Sequence, residues 1–155
     1  MRSFGNQRGQ SLLEFALIAP FVLFFLLALV DFGIAIDRRI VLDHAVREGA
    51  RYASVGGQAL TSGTPANASD VKTYTSAQAQ GVVGGSAVGV CYLDDNGGGF
   101  GLGDTVKVTA NYTYNFVTGF SAIIPGISPS ISMNASASAR AEYAIAGPAL
   151  CPPGP

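Results

Sequence analysis

The sequence predicts an α+β protein in which a long N-terminal transmembrane and stem helix packs against a small antiparallel β-sheet head of about three strands. Three observations support this prediction. An apolar run near the N-terminus continues into a segment with helical periodicity, and together they reach residue 55. Two later segments alternate apolar and polar residues, as strands with one buried face do. A sheet this small needs a helix to cover it, so the elements fit one architecture.

Composition narrows the class of function. The chain has 155 residues, of which only 12% are charged, and its formal net charge is −1. A protein without a basic surface has no electrostatic means of holding nucleic acid, so we exclude that partner. The mean hydropathy is +0.35, and most of the apolar excess lies in the first third of the sequence.

The first element is a membrane-spanning helix. An uncharged apolar run covers residues 15–30, and it extends back to Gln10 with Glu14 as its only charge. A bilayer-spanning helix needs about 20 mostly apolar residues, so we expect residues 10–36 to cross the membrane. The lipid bilayer is therefore the first predicted partner of the chain.

Basic residues before the apolar run predict its orientation. Arg2 and Arg8 precede it, so the positive-inside tendency places the N-terminus in the cytoplasm and everything after Asp37 outside. Two simpler interpretations compete. The run is a signal anchor that stays uncut, or it is a secretory signal cut after Ala35. The second is disfavoured because the run exceeds the usual ~7–15 apolar residues of such signals.

The next segment continues the helix as an amphipathic stem over residues 37–56. One face of this stem is apolar and small, comprising Leu42, Ala45, Val46, Gly49 and Ala53. Ion pairs are predicted on the opposite face, from Asp43 to Arg47 and from Glu48 to Arg51. Two consecutive glycines, Gly56 and Gly57, are expected to end the helix.

The first nine residues have the pattern of a short basic leader. Gly9 ends it, and Glu14 is the fifth residue after that glycine, at the start of the apolar run. Here the chain resembles the type IV pilin superfamily, in which a peptidase cuts after such a glycine. The resemblance implies that residues 1–9 are removed and that Gln10 becomes the new N-terminus. The pair Glu14-Phe15 is similar to the Glu-aromatic pair of Flp-type pilins.

A closer resemblance extends through the stem. The apolar run is followed by "DFG" at residues 31–33 and "REGARYA" at residues 47–53. Over residues 9–54 this order is similar to the N-terminal module of TadE-like proteins, the pseudopilins of tight-adherence pili. The resemblance implies a fimbrial subunit that sits in the inner membrane with an extracytoplasmic C-terminus and later joins an extracellular pilus used for adhesion.

The resemblance also implies partners. They are a prepilin peptidase, an inner-membrane assembly platform with a cytoplasmic ATPase, and other pilin subunits in a homo- or heteropolymer. In the family, the new N-terminal amine is commonly methylated, which would prevent cyclisation of Gln10. No cofactor is implied.

Glu14 has a physical interpretation within this scheme. A carboxylate among packed apolar helices needs a partner, because a buried unpaired charge is very unfavourable. Cleavage after Gly9 creates one, the amino group of Gln10 on a neighbouring subunit, and the resemblance implies that this pair sets the axial register. The alternative is that Glu14 lies in the headgroup region of the membrane.

Two further residues of the apolar helix, Pro20 and Asp31, are candidates for a role in assembly. Pro20 lacks an N–H group, so the carbonyl of Ala16 loses its helical partner, and the site either unwinds during assembly or is a tolerated kink. Asp31 ends the apolar run, either at the outer membrane interface, which we favour, or as a second register contact.

The remainder, residues 57–155, is predicted to form the extracytoplasmic head. We expect a loop over residues 57–70, a short helix over 70–80 capped by Ser69 or Asp70, a strand over 88–93 and a flexible turn over 94–104. Two alternating strands follow, connected by residues 118–130. Their inward-facing positions are Val106, Val108, Ala110, Tyr112, Tyr114 and Phe116 in the first, and Ile131, Met133, Ala135, Ala137, Ala139, Ala141 and Tyr143 in the second.

Cys91 and Cys151 are the only cysteines. In an oxidising compartment a disulfide between them is the expected state, and two separate thiols are the alternative. His44 is the only histidine, and the acidic stretch that begins at Asp94 fails the EF-hand spacing, so no metal site is predicted. We find no catalytic constellation and expect no enzyme. The rival function is a non-polymerising, membrane-anchored extracytoplasmic binding protein.

Overall fold

The computed structural model describes residues 7–57, 66–119, 126, 128–142 and 151. It contains two α-helices, a 3-10 turn and three strands within this part of the chain. In order they are α1 (Gln7–Ser54), α2 (Ala68–Gln78), the 3-10 turn (Gly85–Ala87), β1 (Val88–Leu93), β2 (Thr105–Asn115) and β3 (Ser130–Arg140). The predicted α+β class is confirmed, because α1 packs against an antiparallel sheet of three strands.

The chain divides into two compact units. The first contains the described residues up to Ile36 together with those from Asn115 to Ser130. The second contains those from Asp37 to Tyr114 and from Ile131 onward. Helix α1 contributes residues to both units.

Two glycines end α1 in the way the sequence predicted. Gly56 and Gly57 both adopt positive φ, at 73° and 63°. The N–H of Gly57 donates to the carbonyl of Tyr52 at 2.7 Å, and that of Gly56 donates to Ala53 at 3.1 Å. This pair of bonds is a Schellman motif, which satisfies carbonyls that the helix end would otherwise leave free. Glycine suits the site because the left-handed conformation is strained for other residues.

The short helix α2 begins earlier than the sequence predicted. Neither Ser69 nor Asp70 is its N-cap; the cap is Asn67, whose side chain accepts hydrogen bonds from the N–H groups of both residues. The Asp70 carboxylate instead accepts a hydrogen bond from the Asn67 N–H at 3.1 Å. These reciprocal bonds form a capping box, in which Asp occupies the position more often held by Glu or Gln. The predicted loop over residues 57–70 falls mostly outside the described residues.

The sheet has the order β1-β2-β3. Strands β1 and β2 are antiparallel, with Val88 opposite Ala110 and Tyr92 opposite Val106. Along β2 the predicted inward face is buried at Val106, Val108, Ala110 and Tyr114. In β3 the inward face is buried at Met133 and Ala135, whereas Ile131, predicted to face inward, is 41% exposed at the start of the strand. Tyr143 lies outside the described residues.

The core of the second unit forms between the stem part of α1 and the sheet. Every residue of the predicted apolar stem face is buried, namely Leu42, Ala45, Val46, Gly49 and Ala53. The guanidinium of Arg39 donates to the carbonyl of Asn134 in β3 at 2.7 Å and to the Asp43 carboxylate at 3.2 Å. Asp43 therefore pairs with Arg39, one turn before it, and not with Arg47 as predicted.

The turn between β1 and β2 is held by its own carboxylates. Asp94 accepts hydrogen bonds from the N–H groups of Asn96, Gly97 and Gly99. These bonds lower the pKa of the Asp94 carboxyl, and the bond from Gly99 has the largest effect. Asp104 is buried and accepts from the N–H of Gly101 at 2.7 Å. The prediction of a turn is therefore correct, but its glycines and aspartates form a defined hydrogen-bonded structure.

Gly49 permits close packing of α1 on α2. A Cβ atom built there would clash with the hydroxyl of Thr75 and lie 3.2 Å from its Cβ. We expect Gly49→Val to destabilise the folded chain by about 1–3 kcal/mol, as overpacking of a filled core does. The measurement is the denaturant midpoint of the full chain in detergent.

Two variants control for this interpretation of Gly49. Adding Thr75→Ala to Gly49→Val should restore part of the loss, because it removes the atoms that clash. Gly33→Val, at a glycine of α1 whose added Cβ meets nothing within 4 Å, should leave the midpoint unchanged. Equal losses in both glycine variants would contradict a role for the Thr75 contact.

Tyr92 has a buried hydroxyl that finds no hydrogen-bond partner among the described residues. Its ring meets that of Phe100 edge-to-face, with centroids 5.0 Å apart. We expect Tyr92→Phe to leave stability at neutral pH unchanged or raised by up to about 1 kcal/mol, because it removes an unsatisfied polar group and keeps the packing. A fall in the free energy of unfolding would show that the hydroxyl has a hydrogen-bond partner.

Tyr92 should also make the stability of the folded chain depend on pH. Burial, and then the charge of Asp70, raise the pKa of Tyr92 above its ordinary value of 10.0. The folded state therefore holds the phenol proton more tightly than the unfolded state, so stability is lost as the pH rises through the raised pKa. Unfolding midpoints measured above pH ~10 should fall more steeply in the parent chain than in Tyr92→Phe.

Candidate functional site

The candidate site is the apolar surface of α1 in the first unit. Between residues 12 and 32 its large side chains are exposed to solvent in the isolated chain, among them Leu12, Phe15, Leu17, Phe21, Phe25, Leu29 and Phe32. By length and composition, α1 is the one helix among the described residues that could cross a membrane. So large an apolar surface is not stable in water, which indicates contact with lipid or with other helices.

A shallow apolar groove on this surface surrounds Pro20. Its lining consists of Phe15, Ile18, Ala19, Pro20, Val22, Leu23 and Leu26. The helix continues on both sides of Pro20, although the proline cannot donate to the carbonyl of Ala16. Phe15, one of the lining residues, is 71% exposed. Thus Phe15 and Pro20 belong to one apolar surface.

The predicted cleavage site lies at the start of α1. Because the helix begins at Gln7, the bond between Gly9 and Gln10 falls in its first turn, and both residues are exposed. A Cβ atom at Gly9 would meet nothing within 4 Å. The first turn of a helix frays readily, so little structure has to open before an enzyme could reach this bond.

Glu14 is exposed on the same end of the helix. Its carboxylate accepts a hydrogen bond from the side-chain amide of Gln10 at 3.3 Å. No Lys, Arg or His nitrogen of the described residues lies within ion-pair distance of it. The isolated chain therefore gives Glu14 a weak neutral partner and no cation among the residues that are described.

Asp31 differs from Glu14, because it is completely buried. Its Oδ1 accepts from the N–H of Val117 at 2.9 Å, and its Oδ2 accepts from the N–H of Thr118 at 3.1 Å and from the Thr118 hydroxyl. Both partners lie in the segment that follows β2. This contact is not predictable from the sequence, because no local signal reveals partners 86 and 87 positions apart.

Cys91 and Cys151 are joined by a disulfide in the structure, with their Cα atoms 5.5 Å apart. This separation lies within the range that disulfides span. The N–H of Cys151 also donates to the carbonyl of Tyr92 at 3.1 Å, so the residue is attached to β1 by its backbone as well.

The side chains that could bind a metal ion do not cluster in the described part of the chain. No set of three or more His, Cys, Asp or Glu side chains there could hold an ion. His44 is exposed on the stem, and both cysteines are in the disulfide. The site is therefore an apolar helix surface with two carboxylates, one exposed near its start and one buried near its end.

A long N-terminal helix that is apolar enough to cross a membrane, followed by a small α+β head, fits a membrane-anchored, pilin-like protein. The comparison with protein families agrees: residues 9–51 match the family model of TadE-like proteins, which are pilin-related proteins of tight-adherence pili. The resemblance read from the sequence is confirmed over this segment, and the residues after 51 lie outside the match. Comparisons with curated proteins and with solved structures found no match.

Proposed function

We propose that this chain is a structural subunit of a tight-adherence-type pilus, assembled into the fibre or at its base or tip. The observation that carries the proposal is the exposed apolar surface of α1, which coincides with the TadE-like segment. Before assembly this surface lies in the inner membrane, with the C-terminus outside the cytoplasm. After assembly it packs against the helices of other pilin subunits in the core of an extracellular fibre.

Processing precedes assembly in this proposal. A prepilin peptidase cuts between Gly9 and Gln10 and exposes an amino group that did not exist before. Glu14 of one subunit then pairs with this amino group of a neighbour as the helices come together. Methylation of the amine keeps it charged by preventing cyclisation of Gln10. A membrane platform driven by a cytoplasmic ATPase supplies the work of extraction.

The head supplies the outer surface and adhesion. It has a core of its own, formed between the stem part of α1 and the sheet. Apolar packing by α1 and display by the head are therefore carried by different parts of the chain. Adhesion is assigned to the head because its solvent-facing strand positions, such as Lys107 and Asn111 in β2, are polar and exposed.

Intact-mass measurement of the chain from producing cells tests the proposal. Cleavage after Gly9 leaves 146 of the 155 residues. Retention of residues 1–9 would favour the rival function, a membrane-anchored binding protein that does not polymerise. A start at Ile36 would indicate a freely secreted protein. Because methylation adds a single CH2 group, the same spectrum reports the state of the Gln10 amine.

A further inference from the structure

Because the carboxylate of Asp31 is buried, the exposed apolar surface of α1 is longer than the uncharged run in its sequence. The uncharged run over residues 15–30 would be about 24 Å long at 1.5 Å per residue, which is shorter than the hydrocarbon core of a bilayer. Asp31 is fully covered and accepts three hydrogen bonds, so its carboxylate is not part of the outer surface of the helix. The exposed side chains that follow, Phe32 and Ile36, are apolar.

The outward apolar surface therefore continues to Ile36, immediately before the exposed Asp37. Residues 15–36 would be about 33 Å long, which fits a bilayer. Asp31 then lies about 8 Å along the helix from the end of this surface. That depth lies in the outer part of the acyl chains of the leaflet nearer the head.

The segment that covers Asp31 lies at the same depth. Val117 is 73% exposed, so its side chain points away from the helix surface that the segment covers. The N–H groups of Val117 and Thr118 donate to Asp31, and that of Phe116 donates to the carbonyl of Pro129 at 3.0 Å. The irregular backbone of residues 116–118 therefore presents no unpaired N–H group to the lipid, which lowers the cost of leaving water.

We propose that residues 116–118 form a second membrane contact, in which Val117 inserts into the outer acyl chains of the leaflet nearer the head and Asp31 holds it there. The inference rests on the proposed insertion of α1 into a bilayer. The partner of this contact is lipid. The segment is continuous with the lipid-facing surface of α1, and the outward side chain of the segment is apolar. The contact would fix the depth of the helix before assembly.

The absence of tryptophan from the sequence allows a direct test. Val117→Trp introduces a single Trp into the full-length chain, which is reconstituted into phosphatidylcholine vesicles whose acyl chains carry bromine, a quencher of Trp fluorescence. Two control variants have parent residues of matched exposure: Phe21→Trp within the apolar run and Leu102→Trp in the turn before β2. The three parent side chains are 73%, 72% and 69% exposed.

We expect blue-shifted emission and strong quenching for Val117→Trp, close to that of Phe21→Trp, and no quenching for Leu102→Trp. Quenching of Phe21→Trp alone would overturn this inference and leave the membrane anchor standing. Absence of quenching in all three would overturn the anchor and the inference together. Quenching of Val117→Trp that declines as protein density rises would identify a second copy of the chain as the occupant and overturn the assignment to lipid.

A second variant tests the role of the carboxylate. Asp31→Ala in the Val117→Trp chain removes the acceptors that hold the segment, so its quenching should fall toward the Leu102→Trp value. The Asp31→Ala, Phe21→Trp chain should remain quenched, which shows that the helix is still inserted. If Val117→Trp stays fully quenched without Asp31, the segment reaches lipid unaided and the proposed role of Asp31 is wrong.

Discussion

Replacement of Glu14 by Gln is expected to abolish incorporation of the chain into pili while leaving membrane insertion and cleavage intact. Gln has the shape of Glu and removes only the negative charge. The structure provides the isolated chain with a side-chain amide, that of Gln10, as the partner of Glu14. The amide oxygen of Gln can still accept this exposed hydrogen bond, so the substitution has little effect on the monomer and the defect should be confined to assembly.

The size of the effect follows from burial in the fibre. When helices pack around the new amino group of Gln10, a missing carboxylate leaves a buried charge without a partner. Removing one member of a buried ion pair destabilises by about 3–5 kcal/mol. Because each 1.4 kcal/mol is a tenfold change in affinity, the loss is on the order of a hundredfold or more at each subunit contact. A polymer needs every contact, so the yield of fibre should fall below detection.

The measurement is the amount of this chain in fibres sheared from cells, with intact mass confirming removal of residues 1–9. Glu48→Gln is the matched control, because it removes a carboxylate from the stem part of the same helix, where no subunit pairing is proposed. It should assemble at the parental yield. If Glu14→Gln also assembles at the parental yield, Glu14 does not provide the register contact.

The parts of the fold that sequence predicted are those set by local periodicity. The apolar stem face from Leu42 to Ala53 is buried because residues three and four apart share one side of a helix. Strand β1 runs from Val88 to Leu93, as expected, and the alternation along β2 separates buried valines from exposed polar residues. These patterns are repeated at every turn or every second residue, so a short window suffices to detect them.

The missed features depend on residues far apart in the sequence or on choices between similar residues. Three polar side chains near the start of α2 could each cap a helix, and the capping box selected Asn67. Gly49 was predicted to face the core, but its partner Thr75 follows only from the packing of α1 on α2. The partners of Asp31 required the path of the chain after β2, which no periodicity encodes.

The stability of the head is expected to depend on the disulfide between Cys91 and Cys151, and replacing either cysteine by Ser should lower it more than any other single substitution in the second unit. The bond closes a loop across a sequence separation of 60 residues. In the chain-entropy model a loop of this size contributes about 4 kcal/mol by restricting the unfolded chain. That is a large share of the roughly 5–15 kcal/mol that stabilises a typical folded domain.

The disulfide contributes a large part of the stability of the head because the apolar core there is small. Strand β3 contributes small side chains to the core, such as Ala135, so each residue there buries little apolar area. The disulfide and the bond from the Cys151 N–H to the Tyr92 carbonyl both attach Cys151 to β1. Cys151→Ser removes the covalent link but leaves the backbone donor, so the measured loss isolates the contribution of the disulfide.

Denaturant unfolding of the full chain in detergent, with and without reductant, measures this contribution. Reductant should lower the midpoint of the parent chain to that of the Cys91→Ser, Cys151→Ser double variant and should leave the double variant unchanged. The two single variants should match the double variant, because either one opens the loop. A parent midpoint that is insensitive to reductant, with both thiols then open to alkylation in the folded chain, would show that packing alone sustains the head.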